Sequence, residues 1–198
     1  MDINQNSIYQ KYIKRAFDII FSLLLLILFF PLIFFISCLV KISSSGPILY
    51  WSDRIGYRTK IFKMPKFRTM RINTPELATD RLLDPEKYLT PSGNFLRSSS
   101  LDELPQLFSI IKGDMSFIGP RPALYNQEKL IKMRETYKIN NIKPGLTGFA
   151  QIKGRDEISD LEKVSFDKFY IEKISFTFDL KIIILSIYKV IRREGIDH

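Results

Sequence analysis

From Ile19 to Val40 the chain carries no charged residue and is dominated by Leu, Ile and Phe. At a 1.5 Å rise per residue this run predicts a helix of roughly 33 Å, long enough to cross the hydrocarbon core of a bilayer. It is too long for the apolar part of a secretory leader, and Lys41-Ile-Ser-Ser-Ser-Gly46-Pro47, which follows it, is not a small-residue cleavage site. Pro31 falls near its middle, where the missing N–H and the ring predict a kink or break at Phe30-Pro31. Each half, of about twelve and nine residues, then reaches only part-way through the hydrocarbon. Both flanks are basic, with Lys11, Lys14 and Arg15 before the run and Lys41, Arg54, Arg58, Lys60, Lys63, Lys66 and Arg68 after it. The positive-inside rule therefore places both ends on the cytoplasmic side. A re-entrant helix-break-helix meets both observations; a kinked spanning helix is the competing reading.

Beyond the run, Ile48 to Trp51 and Lys60 to Met64 predict two short strands separated by a turn at Arg54–Arg58. A polar loop with Pro75, Pro85 and Pro91 is expected from about Arg71 to Ser92. Ser100, followed three residues later by Glu103, matches a capping box, and Pro105 tolerates only a first-turn position, so a helix is expected to start near Leu101. The glycines at 145, 148 and 154 form neither a dinucleotide fingerprint nor a P-loop, which leaves a turn-rich loop as the expectation. Asp179 to Arg193 is helical by pattern, with Asp179 as N-cap and Gly195 just past the end. Ile182, Ile183, Leu185, Ile187, Tyr188, Val190 and Ile191 make a wide apolar face and Ser186, Lys189 and Arg193 a narrow polar stripe. Such a helix lies in a membrane interface or packs into a core, and periodicity does not separate the two. The fold class is α+β and mostly helical: an anchor over 1–45, then a small catalytic domain over 46–198 built on a β-hairpin and amphipathic interfacial helices.

Composition narrows the chemistry. The 198 residues hold 30 Lys+Arg against 21 Asp+Glu, one Cys (Cys38) and one His (His198). A disulfide framework, a Cys/His zinc site and a Ser-His-Asp triad are excluded from the chain's own residues. Catalysis has to run on carboxylates, Lys/Arg, hydroxyls or a borrowed cation. The formal charge of +9 suits nucleic acid, an anionic membrane or phosphorylated substrates alike.

The carboxylate pair Asp102-Glu103 is the candidate centre. At a helix start these acids sit where free N–H groups favour anions, and adjacent side chains point about 100° apart, so one can face a phosphorus atom while the other holds a cation. Acids in a first turn are ordinarily plain dipole complements. The neighbourhood raises the functional reading: Lys66, Arg68, Arg97, Arg121 and Lys153 with Arg155 supply cations, and Arg121 is held stiffly between Pro120 and Pro122.

These residues resemble the monotopic phosphoglycosyltransferases, the bacterial polyprenyl-phosphate glycosyl-1-phosphate transferases, in their minimal form. The resemblance rests on the basic start and apolar helix, Phe62 to Met70, Ser100 to Leu107, Lys112 to Pro122, and Lys143 to Gly148 through Gly154-Arg155. It departs at Phe30, where family members carry Ser before the proline. The resemblance implies transfer of a sugar-1-phosphate from a UDP-sugar to polyprenyl phosphate with release of UMP, at the cytoplasmic face of the bacterial inner membrane. It implies Asp102 as nucleophile, Glu103 with Asp102 as Mg²⁺ ligands, and Lys66, Arg68, Arg97, Arg121 and Arg155 as substrate contacts. The implied partners are UDP-sugar, polyprenyl phosphate and membrane lipids; a homo-oligomer is compatible with it. The competing classes are a membrane-tethered anionic-polymer binding module and an inactive scaffold. No recognised nucleic-acid motif is present, so nucleic acid is not an expected partner.

Overall fold

A computed structural model describes residues 8–75, 77, 82–154 and 158–192. The apolar run is one helix, α1 (Lys14–Ser43), entered from a π-helical turn at Tyr9–Ile13. Among the described residues it is the one helix long and apolar enough to cross a membrane. Of the kink or break expected at Phe30-Pro31, a break does not occur: the helix runs through Pro31. A proline removes one intrahelical bond. Its Leu, Ile and Phe neighbours offer the backbone no side-chain hydrogen bond to compete with the bonds that remain.

Both ends of α1 are tied to the body of the protein, and its middle is not. Near the start, Arg15 donates to the carbonyls of Ile110 and Ile111 at 2.6 Å each, and Asp18 accepts from the Phe117 N–H and the Ser116 hydroxyl. Phe17, Phe21, Leu25 and Leu26 pack against the main core. Near the end, Leu32, Ile33, Ile36 and Val40 join a second cluster with Phe67 and Leu96, and the Ser43 and Ser92 hydroxyls are bonded at 2.9 Å. Between these zones Ile27, Leu28 and Phe30 are exposed.

Strands β1 (Leu49–Ile55) and β2 (Ile61–Phe67) form an antiparallel hairpin in register from Leu49↔Phe67 to Ile55↔Ile61. They are longer than the sequence pattern predicts, because pairing carries through Arg54, whose side chain bonds Ser52 and the Pro122 carbonyl. Helix α2 (Gly93–Ser98), a 3₁₀ turn at Leu101–Glu103 and helix α3 (Gln106–Lys112) lead to strand β3 (Ser116–Ile118). Helix α4 (Glu128–Thr136) precedes strand β4 (Gly145–Thr147), helix α5 (Phe149–Lys153), helix α6 (Asp160–Lys173) and helix α7 (Phe176–Arg192). The stretch read from sequence as a glycine-bearing loop is thus a strand followed by a helix, with β4 paired in parallel to β3.

The glycines are what allow that pairing. A Cβ on Gly145 would stand 2.1 Å from the Gly119 amide nitrogen, and one on Gly119 would stand 2.5 Å from the Lys143 carbonyl oxygen. The two backbones touch, and their contact fixes the start of the Pro120-Arg121-Pro122 segment.

Helix α7 begins three residues before the expected N-cap, and Asp179 sits within its first turn facing inward. There it accepts from Lys14 Nζ and from the hydroxyls of Tyr9 and Tyr170. Of the polar stripe, Ser186 is turned to the protein and bonded to Thr147 at 2.7 Å. Ile184, Ile187, Tyr188 and Val190 face outward. The wide apolar face is divided: Ile182 and Ile183 pack on the core, and the outward residues leave the apolar surface that an interfacial helix requires. Arg193 and Gly195 lie outside the described residues.

Replacing Gly145 with Ala is expected to cost about 3 kcal/mol or more, because the added methyl meets backbone rather than a flexible side chain. Thermal unfolding of the purified variant checks this, and an unchanged midpoint would contradict the close approach.

Candidate active site

The carboxylate pair does not begin a capped helix as the spacing predicts. Ser100 is in the left-handed region at φ +55°, makes no side-chain cap bond, and its hydroxyl is buried without a hydrogen-bond partner. Asp102 and Glu103 lie in the tight 3₁₀ turn, and the α-helix proper starts after Pro105. Glu103 does not reach back to the Ser100 N–H because stronger partners hold it. Lys66 Nζ lies 2.7 Å and Arg121 Nη2 3.1 Å from its Oε1. Charge-assisted bonds of this kind outweigh a neutral N–H contact.

Lys66 comes from β2, opposite Tyr50 in the hairpin register. Its Nζ also stands 3.8 Å from Asp102 Oδ2, so one ammonium serves both acids. Arg97 comes from the last turn of α2 and Arg121 from the segment after β3. The site thus draws on parts of the chain that are far apart in sequence: Lys66 meets both acids, Arg121 meets Glu103, and the Arg97 charge acts on Asp102.

Asp102 is buried, with 7% of its surface exposed. Burial pushes its carboxyl up from the ordinary 3.8 to about 6, against the downward pull of Lys66; the Glu103 charge adds to the rise, and Arg97 and Arg121 offset it. The group is ionised at neutral pH yet poorly solvated, the condition of a carboxylate available to form a bond. Gln106, one helical turn further on, is 2% exposed and its Nε2 has no hydrogen-bond partner. The sequence marks Ser100 only as a helix cap and does not single out this amide; both are local to the acids and share their motif.

The other expected contacts lie elsewhere. Arg68 is 5% exposed, and its Nη2 donates to the carbonyl and hydroxyl of Ser44 at the foot of α1. Its Nε and Nη1 are buried without hydrogen-bond partners. Lys153 rests over the Phe149 ring at 5.4 Å. Arg155 lies outside the described residues. Sequence reasoning missed Arg134 and Asp167, a buried pair at 2.7 Å whose arginine also donates to the Arg121 carbonyl at 2.8 Å. Nothing in their spacing, thirty-three residues apart on two helices, marks them as partners.

Two hard oxygen donors on one turn, with no nitrogen or sulfur ligand beside them, fit a Mg²⁺ ion that takes its remaining ligands from water and phosphate. Among the described residues no group of three or more His, Cys, Asp or Glu could build an all-protein metal cage.

Because the folded protein holds the Asp102 proton more tightly than the unfolded chain, the site lowers stability as pH rises from about 4 through 6. At pH 8 the ionised form costs about 2–3 kcal/mol. Asp102→Asn is therefore expected to raise the thermal midpoint by about 5 °C at pH 8 and by about half as much at pH 5. Melting curves at the two pH values check this; an equal or negative shift at both would contradict the burial argument.

The chain matches the family described as bacterial sugar transferase over residues 9–193. It is 40% identical over 186 residues to a UDP-glucose:undecaprenyl-phosphate glucose-1-phosphate transferase of Escherichia coli, covering 90% of this chain and 40% of that protein. It is 38% identical over 184 residues to an uncharacterized sugar transferase of Bacillus subtilis, covering 93% of this chain and 90% of that one. An undecaprenyl-phosphate galactose phosphotransferase of Salmonella typhimurium is 34% identical over 201 residues, with 93% of this chain and 42% of that protein covered. The chain thus spans less than half the length of the Escherichia coli and Salmonella typhimurium relatives, whose names state a substrate. With the match running from the turn before α1 to the end of α7, this chain belongs to the bacterial sugar transferase family.

Proposed function

We propose that this protein moves a sugar-1-phosphate from a UDP-sugar to a polyprenyl phosphate at the cytoplasmic face of the bacterial inner membrane. The observation that carries the reading is the recessed Asp102-Glu103 pair ringed by Lys66, Arg97 and Arg121. An Asp102 oxygen attacks the phosphorus that bears the sugar, and the bond from that phosphorus to the bridging oxygen breaks. UMP leaves with the bridging oxygen and its electron pair. An oxygen of the lipid phosphate then attacks the same phosphorus, the bond to Asp102 breaks, and the carboxylate is restored. One hard displacement becomes two easier ones.

Glu103, with Asp102, would hold Mg²⁺, which supplies charge neutralisation on the diphosphate when bound. Lys66 and Arg121 lie where they meet the same charge, and in the absence of substrate they hold Glu103 in place. Fixed cations of this kind stabilise charge that develops on the leaving group without reorganising.

The anchor supports the same reading. A helix whose two ends bind one body is hard to reconcile with ends on opposite sides of a bilayer, which supports an α1 that bends at Pro31 and dips into one leaflet, with the exposed Ile27, Leu28 and Phe30 at its deepest part. Basic residues at both flanks agree with that side being cytoplasmic. Arg15 caps the end of α3, the helix that follows the acids, and so ties their depth to the anchor.

The test is UMP release from a panel of UDP-sugars, beginning with UDP-glucose and UDP-galactose, with polyprenyl phosphate and Mg²⁺ in detergent. Release is expected from at least one, lost on chelation and restored by added Mg²⁺. Lys66→Ala is expected to lower it by about 10²- to 10³-fold. Activity should climb with pH through about 6 and level off above, as the attacking carboxylate loses its proton. UMP release indifferent to chelation would remove Glu103 and Asp102 from metal binding; no release from any UDP-sugar would overturn the reading.

A further inference from the structure

We infer that Arg134, oriented by Asp167, is a positioning residue for the Arg121 guanidinium, and that Arg54 is a second clamp on the same segment. The inference rests on the proposed role of Arg121 beside the acids. Pro120 and Pro122 have no N–H to donate, so the segment around Arg121 is anchored through its carbonyl oxygens. All four successive carbonyls accept a bond: Pro120 from the Gly145 amide, Arg121 from Arg134 Nη1, Pro122 from Arg54 Nη1 and Ala123 from the Ile55 amide, at 2.9, 2.8, 3.1 and 2.9 Å. Two of these are ordinary main-chain contacts. The other two come from arginine side chains delivered by different elements, α4 and β1.

The Arg134 donor is held from behind. Its Nε and Nη2 both reach Asp167 Oδ2, at 3.0 and 2.7 Å, and the two residues are 4% and 1% exposed. A buried ion pair is a weak source of stability, since apolar residues of similar volume commonly fill such a space at least as well. The arrangement makes sense as orientation. Asp167 fixes the plane of the guanidinium on two sides, and the third side points at the one carbonyl whose residue extends its own side chain to Glu103. A lysine, a point charge without the planar fork, could pair with Asp167 but not hold both directions at once. Arg134 touches none of the acids, so its effect on the reaction runs through Arg121.

The experiment is a double-mutant cycle on UMP release, paired with hydrogen exchange that needs no activity. Arg134→Lys is expected to lower kcat/KM about tenfold to a hundredfold with Arg121 present, as misplacing a charged group by about 1 Å does. In the Arg121→Ala background it is expected to change kcat/KM by less than about twofold, because the positioned group is gone. Arg134→Lys should also speed amide exchange of the 119–125 segment while leaving the β1–β2 hairpin at its wild-type rate. Arg54→Met, at a half-buried position, should give the same pattern in smaller degree and serves as the test if Arg134→Lys does not fold. Losses that multiply in both backgrounds, or unchanged exchange at 119–125, would overturn the inference. Should the wild-type chain release no UMP, the functional reading falls while the exchange comparison still decides the positioning claim.

Discussion

Two neighbouring carboxylates withdrawn from water repel each other and lose hydration, and everything around Asp102 and Glu103 answers that constraint. One acid is 7% exposed and its carboxyl is pushed up to about 6; the other is locked between an ammonium and a guanidinium. Such a pair is tolerable only with fixed positive charge near it. The hairpin brings Lys66, α2 brings Arg97, and the segment after β3 brings Arg121, so the site exists only when distant parts of the chain meet. The strain is local and functional: the carboxylate that is costly to keep ionised is the one proposed to form a bond to phosphorus.

Height is the second constraint. A lipid phosphate, the proposed acceptor, would lie at the headgroup level, and the proposed nucleophile Asp102 would have to be brought there. Helix α1 and the body of the protein are not loosely tethered, because Phe17, Phe21, Leu25 and Leu26 pack on the main core and Arg15 binds the Ile110 and Ile111 carbonyls near the end of α3. The outward apolar face of α7, with Asp179 joined to Lys14 at the base of α1, adds a second element at the same level. Arg68, with its guanidinium at Ser44, braces the other end.

Much of this was legible in the residues. The long apolar run, the hairpin, the acids and the stiff Pro-Arg-Pro segment each carry a local signal, and the structure places Lys66, Arg121 and the two acids within contact of one another. What failed did so for a physical reason. The capping box at Ser100 lost to charged partners from other elements, which local spacing does not encode, whereas the same spacing at Ser159 and Glu162 gives a true capping box on an exposed turn with no such competitor. The two readings left open for α7 each hold in part, because Ile182 and Ile183 pack on the core and Ser186 bonds Thr147 while Ile184, Ile187, Tyr188 and Val190 face out. The glycines near 145 read from sequence as a turn-rich loop; Gly145 and Gly148 are instead points where two backbones touch, a fact that needs the partner Gly119 to be seen. Arg134 and Asp167 were invisible because a buried pair between two helices leaves no periodic trace.

The most direct measurement is the intact mass and fragment spectrum of the protein after incubation with UDP-glucose or UDP-galactose and Mg²⁺ in the absence of any lipid acceptor. The account predicts UMP release of up to one equivalent and a sugar-phosphate adduct on the peptide containing Asp102, absent from Asp102→Asn and discharged by adding polyprenyl phosphate. Full turnover with no adduct at any stage, or an adduct on a different residue, would contradict it.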